Sequence, residues 1–102
     1  TTTIEALWKN VPVLTKAGYN FNSRCGESIL KNAKIDNLIA TNNEDYINKA
    51  VFYANNIDKL EDVRKKLFEE IEKSTLFDTK GFSVDFCRAL NDMILDVNKN
   101  YK

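Results

Sequence analysis

The stretch Thr1–Thr15, TTTIEALWKNVPVLT, decides how the rest of the chain is read. Three hydroxyl residues, Thr1, Thr2 and Thr3, open a helical pattern that extends to Lys9, with the acid Glu5 one turn in. Leu7 and Trp8 are its inward-facing residues. Asn10 stands where a helix commonly ends on a left-handed residue, and asparagine takes positive φ most readily after glycine. Val11-Pro12-Val13-Leu14 reads as a short edge strand, with proline near its start, where a missing N–H costs little. A helix start of this composition is a ready anion site. Its first N–H groups have no intrahelical partner, its dipole end is positive, and threonine hydroxyls add donors. Taken alone, the same threonines suit a solvated, frayed terminus equally well, and Glu5 suits simple complementation of the helix dipole.

Outward from this stretch, Lys16 to Asn22 is a loop, with Gly18 and two asparagines as turn residues. Ser23 is the predicted N-cap of a helix over Arg24–Asn32, with Ile29, Leu30 and Ala33 on its apolar side. Gly26, on the opening turn, marks a close approach, either by a ligand or by a packed strand. Leu38-Ile39-Ala40 is a short apolar run of the kind that forms a buried parallel strand. A strand, helix, strand order implies a right-handed crossover. Thr41-Asn42-Asn43-Glu44 matches the capping-box pattern and predicts a helix to about Asn55. Tyr46, Ile47, Ala50, Val51 and Ala54 form its buried stripe. Asp58 is the predicted cap of a helix to about Lys73, with Leu60, Val63, Leu67, Phe68 and Ile71 inside. Glu61 with Lys65 and Glu69 with Lys73 mark its solvated face. Ser74 to Gly81 is a connector anchored by Leu76 and Phe77. The last helix is expected over Phe82–Asn98, with Phe82, Phe86, Leu90, Met93, Ile94 and Val97 along one side. The fold class is therefore α/β and predominantly helical, with two short parallel strands and about five helices.

Composition removes several function classes. The 102 residues suit one small domain or part of a larger one. Fifteen basic residues balance fifteen acidic ones, and no basic stripe points to nucleic acid. No apolar run is long enough for a membrane span, and the start has no signal-peptide pattern. Cys25 and Cys87 make no disulfide framework, which suits a reduced, cytoplasmic setting. Histidine is absent, so no metal site is expected and no nucleophile has a neighbouring base. No Gly-rich phosphate loop and no internal repeat occurs. Lysine outnumbers arginine and asparagine is abundant, as in proteins of AT-rich bacterial genomes. The chain opens without methionine, directly on its candidate site, so residues 1–102 are expected to be the C-terminal part of a larger nucleotide-binding domain.

The opening stretch, followed in order by Ser23-Arg24-Cys25-Gly26-Glu27-Ser28, Leu38-Ile39-Ala40, Glu44-Asp45-Tyr46, Val63-Arg64 and Ser74-Thr75-Leu76-Phe77-Asp78, resembles the O-linked N-acetylglucosamine transferases. These are inverting glycosyltransferases of the Rossmann-like GT-B fold, found in bacteria with tetratricopeptide repeats. The resemblance implies transfer of a sugar, N-acetylglucosamine first, from a UDP donor to a protein hydroxyl, with no cofactor and no metal. It places Thr1, Thr2 and Thr3 on the diphosphate, Glu5 on the ribose, and Ser23 and Arg24 near the ligand face. For Arg24 a structural ion pair stands beside that role, and an apolar residue frequent in the family at the Cys25 position implies a buried, inert thiol there, with Cys87 on its helix read the same way. The family also carries a histidine just before the threonines and a lysine further upstream, both on the donor. Neither falls within this chain. No catalytic residue is therefore expected here, and the chain alone should have no transferase activity. The resemblance further implies partner segments upstream, catalytic and repeat-bearing, and a terminal helix that packs toward the other domain. Apart from them the chain is expected to expose a sheet edge and to self-associate. The alternative is a non-catalytic helical protein-interaction module derived from the same fold, which explains the amphipathic helices but not the order of the motifs.

Overall fold

The computed structural model describes residues 1–101. Its order is α1 (Thr2–Trp8), β1 (Thr15–Lys16), α2 (Phe21–Asn32), a 3₁₀ turn (Asp36–Leu38), β2 (Ile39–Ala40), α3 (Asn43–Asn55), α4 (Ile57–Glu70), a second 3₁₀ turn (Thr75–Phe77) and α5 (Thr79–Asn100). The two strands pair in parallel, Thr15 opposite Ile39 and Lys16 opposite Ala40, with α2 as their crossover. The mostly helical α/β class expected from the sequence is the one observed.

The core gathers Leu7 from α1, Leu30 and Ala33 from the end of α2, Ile35 and Leu38 from the α2–β2 connection, and Val63, Leu67 and Ile71 from α4. Burying a leucine of this kind contributes about 1.5–3 kcal/mol. Leu76 and Phe77 pack against this cluster from the connector before α5, as expected. Gly26 is explained by packing: a Cβ there would collide with the side chain of Thr15, so α2 lies directly on β1.

The strand is displaced from where the sequence places it. Residues 11–14 join no ladder, and pairing begins at Thr15. The partner strand is two residues long because a 3₁₀ turn consumes Asp36–Leu38, and Pro12 brings no N–H. The last bond of the pair is donated by the Ala17 N–H to the Ala40 carbonyl at 2.8 Å. Trp8 is half-exposed rather than interior, at 51% of its free surface. Successive residues of a helix point about 100° apart, so with Leu7 inward Trp8 rests on the rim against Phe77, ring centroids 4.8 Å apart.

The caps fall near, but not on, the predicted residues. α2 starts at Asn20, not Ser23: the Asn20 Oδ1 accepts from the Ser23 N–H at 3.0 Å, and the Asn20 N–H donates to Ser23 Oγ at 3.1 Å. Ser23 is thus the third residue of a capping box, which adds a turn before Arg24. α3 starts at Asn42 rather than Thr41, and α4 at Asn56 rather than Asp58. α5 begins three residues early, where Asp78 accepts from the Gly81 N–H. Asn20, Asn42 and Asp78 each accept a backbone N–H as strong N-caps and so set the starts of α2, α3 and α5, whereas Asn56 precedes α4 without a side-chain cap bond.

The stripe predicted for α3 faces solvent. Tyr46, Ile47, Ala50, Val51 and Ala54 are exposed, whereas Asp45, Lys49 and Tyr53 are half-buried. The Thr41 N–H, at the end of β2, donates to Asp45 Oδ2 at 2.9 Å, and Lys49 Nζ pairs with Asp45 Oδ1 at 2.7 Å. With Asp45 inward, the helical repeat of about 100° per residue turns Lys49 and Tyr53 inward as well and leaves Tyr46, Ile47, Ala50, Val51 and Ala54 outward. Phe68 in α4 is likewise exposed, while Val63, Leu67 and Ile71 hold the inner face. Among the described residues Glu61–Lys65 and Glu69–Lys73 form no ion pair; helix pairs close instead at Glu27–Lys31 and Asp45–Lys49.

Candidate functional site

Thr1 is the N-cap of α1, and its side chain makes no capping hydrogen bond. The first intrahelical bond runs from the Glu5 N–H to the Thr1 carbonyl at 3.0 Å. The N–H groups of Thr2, Thr3 and Ile4 therefore have no carbonyl within the helix to receive them. Thr1 and Thr2 are exposed, Thr3 is half-buried, and Glu5 lies in the first turn with its carboxylate in solvent. The result is a helix start with unspent donors, a positive dipole end and one acid on the next turn. Chemically it can accept an anion's oxygens at its end and a hydroxyl's protons at Glu5.

The other end of α1 is closed. Asn10 takes φ 58°, its N–H donates to the Leu7 carbonyl at 2.9 Å, and the Val11 N–H donates to the Ala6 carbonyl at 2.9 Å. This is a full Schellman closure with asparagine at the left-handed position expected for it. Arg64, from α4, donates its Nε–H to the Asn10 carbonyl at 3.2 Å. The Asn10 Oδ1 is buried without a partner among the described residues.

Ser23 and Arg24 sit on the opening turn of α2. The Ser23 hydroxyl is engaged locally, accepting from the Asn20 N–H and donating to the Asn20 carbonyl at 3.1 Å. Arg24 Nε lies 3.5 Å from Glu27 Oε2, with the guanidinium largely in solvent. Glu27, bonded by Lys31 at 2.7 Å and flanked by Arg24, has its carboxyl held below the usual carboxylate range, chiefly by the Lys31 hydrogen bond. The cavities beside Arg24 are lined by α2 residues alone, so Thr1–Glu5 and Arg24 share none of them. Cys25 is half-buried, with its Sγ donating to the Phe21 carbonyl; Cys87 is exposed on α5, against the expectation that it is buried. Among the described residues no cluster could hold a metal ion. No described helix is long and apolar enough to cross a membrane.

Sequence reasoning missed Arg64 and Asp45. For Asp45 a signal was present, an acid three residues after Asn42; for Arg64, lying between two buried apolar positions of α4, the local sequence does not reveal its partner. Both act on backbone groups outside their own helices, Asp45 on the Thr41 N–H just before α3 and Arg64 on the distant Asn10 carbonyl.

Residues 1–86 match the family model described as glycosyl transferase family 41. The chain belongs to glycosyl transferase family 41. A relative from Solanum lycopersicum, named a probable UDP-N-acetylglucosamine–peptide N-acetylglucosaminyltransferase SPINDLY, is 35% identical over 83 residues, covering 81% of this chain and 9% of the relative. A protein of the same name from Eustoma exaltatum subsp. russellianum is 35% identical over 85 residues, 83% of this chain and 9% of the relative. The Caenorhabditis elegans UDP-N-acetylglucosamine–peptide N-acetylglucosaminyltransferase is 28% identical over 102 residues, the whole of this chain and 8% of the relative. This chain therefore spans less than a tenth of the length of these relatives. Its helices and parallel strand pair are consistent with part of a family 41 nucleotide-binding domain of GT-B type.

Proposed function

We propose that residues 1–102 form the C-terminal part of the second nucleotide-binding domain of a bacterial, cytoplasmic glycosyltransferase that carries tetratricopeptide repeats upstream. The enzyme moves N-acetylglucosamine from UDP to a protein hydroxyl with inversion. Membership of glycosyl transferase family 41 over residues 1–86 is the observation that carries this reading. The free cysteines support a reducing compartment, and the lysine and asparagine usage supports a bacterial source.

Within that enzyme α1 receives the donor. Thr1, Thr2 and Thr3, with the N–H groups behind them, hold the diphosphate, and Glu5 accepts from the ribose hydroxyls. Binding the diphosphate at a helix start also stabilises the charge that develops on UDP as it leaves. Arg24 keeps guanidinium N–H groups beyond its Glu27 contact and stands at the ligand face with Ser23 as its support. The route for the acceptor proton lies outside this chain, which has no histidine and no base beside a nucleophile. The chain needs neither metal nor cofactor for its part.

The test is Glu5→Gln in the full-length protein, read as UDP affinity. The substitution keeps size and removes the charged acceptor, and about a tenfold loss is expected from a charge-assisted bond to a hydroxyl. Unchanged affinity sinks the ribose role. The rival reading, a non-catalytic interaction module, draws support from α5, whose apolar side continues beyond the family match. Failure of the full-length protein to bind UDP at all would favour it.

A further inference from the structure

α1 is held at one end only. Leu7 is fully buried, Trp8 rests on Phe77, and the Schellman closure fixes Asn10, whereas Thr1 and Thr2 stand in solvent. Among the described residues, a single side-chain hydrogen bond ties residues 1–14 to the rest of the molecule. It is the one from Arg64 Nε to the Asn10 carbonyl. Arg64 follows the buried Val63 and precedes the buried Leu67, so its donor comes from a helix anchored in the core on either side of it. It is not drawn off by an ion pair. Glu61 and Glu69 line the same cleft of about 260 Å³ beside it, yet among the described residues no carboxylate pairs with Arg64. The Asn10 carbonyl is presented to it because φ 58° turns the chain out of the helix at that residue.

We propose that Arg64 is a positioning residue for the donor diphosphate. This rests on the reading of α1 as the diphosphate and ribose element. A seven-residue helix is about 10 Å long, so a clamp at Asn10 sets the axis and depth at which Thr1–Thr3 are presented. Small displacements of positioned groups are expensive in catalysis, on the order of a hundredfold for 1 Å.

The test uses the full-length protein, with UDP as the probe for binding and the UDP-sugar and acceptor KM values measured separately. Arg64→Met keeps the apolar stem and removes the donor. Arg64→Gln places its side-chain amide nitrogen the same number of bonds from the backbone as the Arg64 Nε. Both residues are good helix formers at an exposed position, so folding is preserved. The expected result is a UDP Kd and donor KM raised about tenfold in Arg64→Met, an unchanged acceptor KM, and recovery to within about threefold in Arg64→Gln. Lys65→Ala, which removes the neighbouring cation, leaves the UDP Kd unchanged. Arg64→Met with an unaltered UDP Kd, while Glu5→Gln weakens it, overturns the clamp and leaves the α1 reading standing. Neither variant moving the Kd overturns both. Equal losses in Arg64→Met, Arg64→Gln and Lys65→Ala overturn the clamp in favour of a diffuse charge effect.

Discussion

Among the described residues two that are not glycine, Asn10 and Lys34, adopt positive φ, at 58° and 60°. Both close helices with the same geometry: the Ile35 N–H donates to the Leu30 carbonyl and the Lys34 N–H to the Lys31 carbonyl, as at α1. Lysine gains nothing from that conformation, and its Cβ makes left-handed backbone cost about 1–2 kcal/mol. Glycine removes that cost but loses about 0.5–1 kcal/mol of chain entropy. Lys34→Gly should therefore stabilise the protein by about 0.5–1 kcal/mol, seen as a melting temperature raised by a few degrees. Asn10→Gly relieves less strain, since asparagine tolerates positive φ, but it removes the buried Oδ1 that has no partner among the described residues and keeps the carbonyl that Arg64 engages, so a similar gain is expected. A lowered melting temperature in Lys34→Gly would show that the lysine stem packs usefully there.

At the scale of the element, the sequence was most informative where periodicity and burial agree. α4 shows this: Val63, Leu67 and Ile71 are spaced by four and all buried. The parallel strand at Ile39–Ala40 and the left-handed Asn10 were also legible, because an apolar run and a helix-ending residue leave few alternatives. α3 was misread because its apolar stripe lies opposite the side this chain packs against, where Thr41 and Lys49 hold Asp45. Of the candidate site, the helix start at Thr1–Thr3 was legible and the Arg64 clamp was not, since a bond spanning 54 residues leaves no local pattern. The α3 contact makes a pH prediction. The Lys49 hydrogen bond, then the Thr41 N–H, hold the Asp45 carboxyl below the usual aspartate range. A depressed folded value means the unfolded chain binds the proton first. The stabilisation is therefore complete above the usual aspartate range and is lost as pH falls through the depressed value. Acid titration followed by the Thr41 and Asp45 amide shifts should show the start of α3 loosening over that window. Asp45→Asn should abolish the pH dependence of this step; an unchanged profile in the variant would assign it elsewhere.

At the scale of the whole molecule, the shape is extended, 63 × 29 × 18 Å with a radius of gyration of 17.7 Å, where a compact chain of this length has about 13 Å. Much of the excess is α5, 22 residues long, with Phe82, Phe86, Leu90, Met93, Ile94 and Val97 all exposed. The outer side of α3 adds Tyr46, Ile47 and Val51. Surfaces of this kind are not left to water by monomeric soluble proteins. The 102-residue chain made alone should accordingly self-associate, with a weight-average mass in sedimentation equilibrium that rises with concentration. Phe86→Lys together with Leu90→Lys should return it to monomer. A wild-type chain that stays monomeric at high concentration would contradict the reading of α5 as an uncovered contact face.

The central claim is that the start of α1 binds the diphosphate of a UDP donor. The most direct measurement is the affinity of the full-length protein for UDP and for uridine, before and after Thr1, Thr2 and Thr3 are together changed to alanine. The account expects UDP binding to weaken by about tenfold or more, as loss of hydrogen bonds to a charged group requires, with uridine binding unchanged. UDP affinity equal to that of the unaltered protein would contradict it.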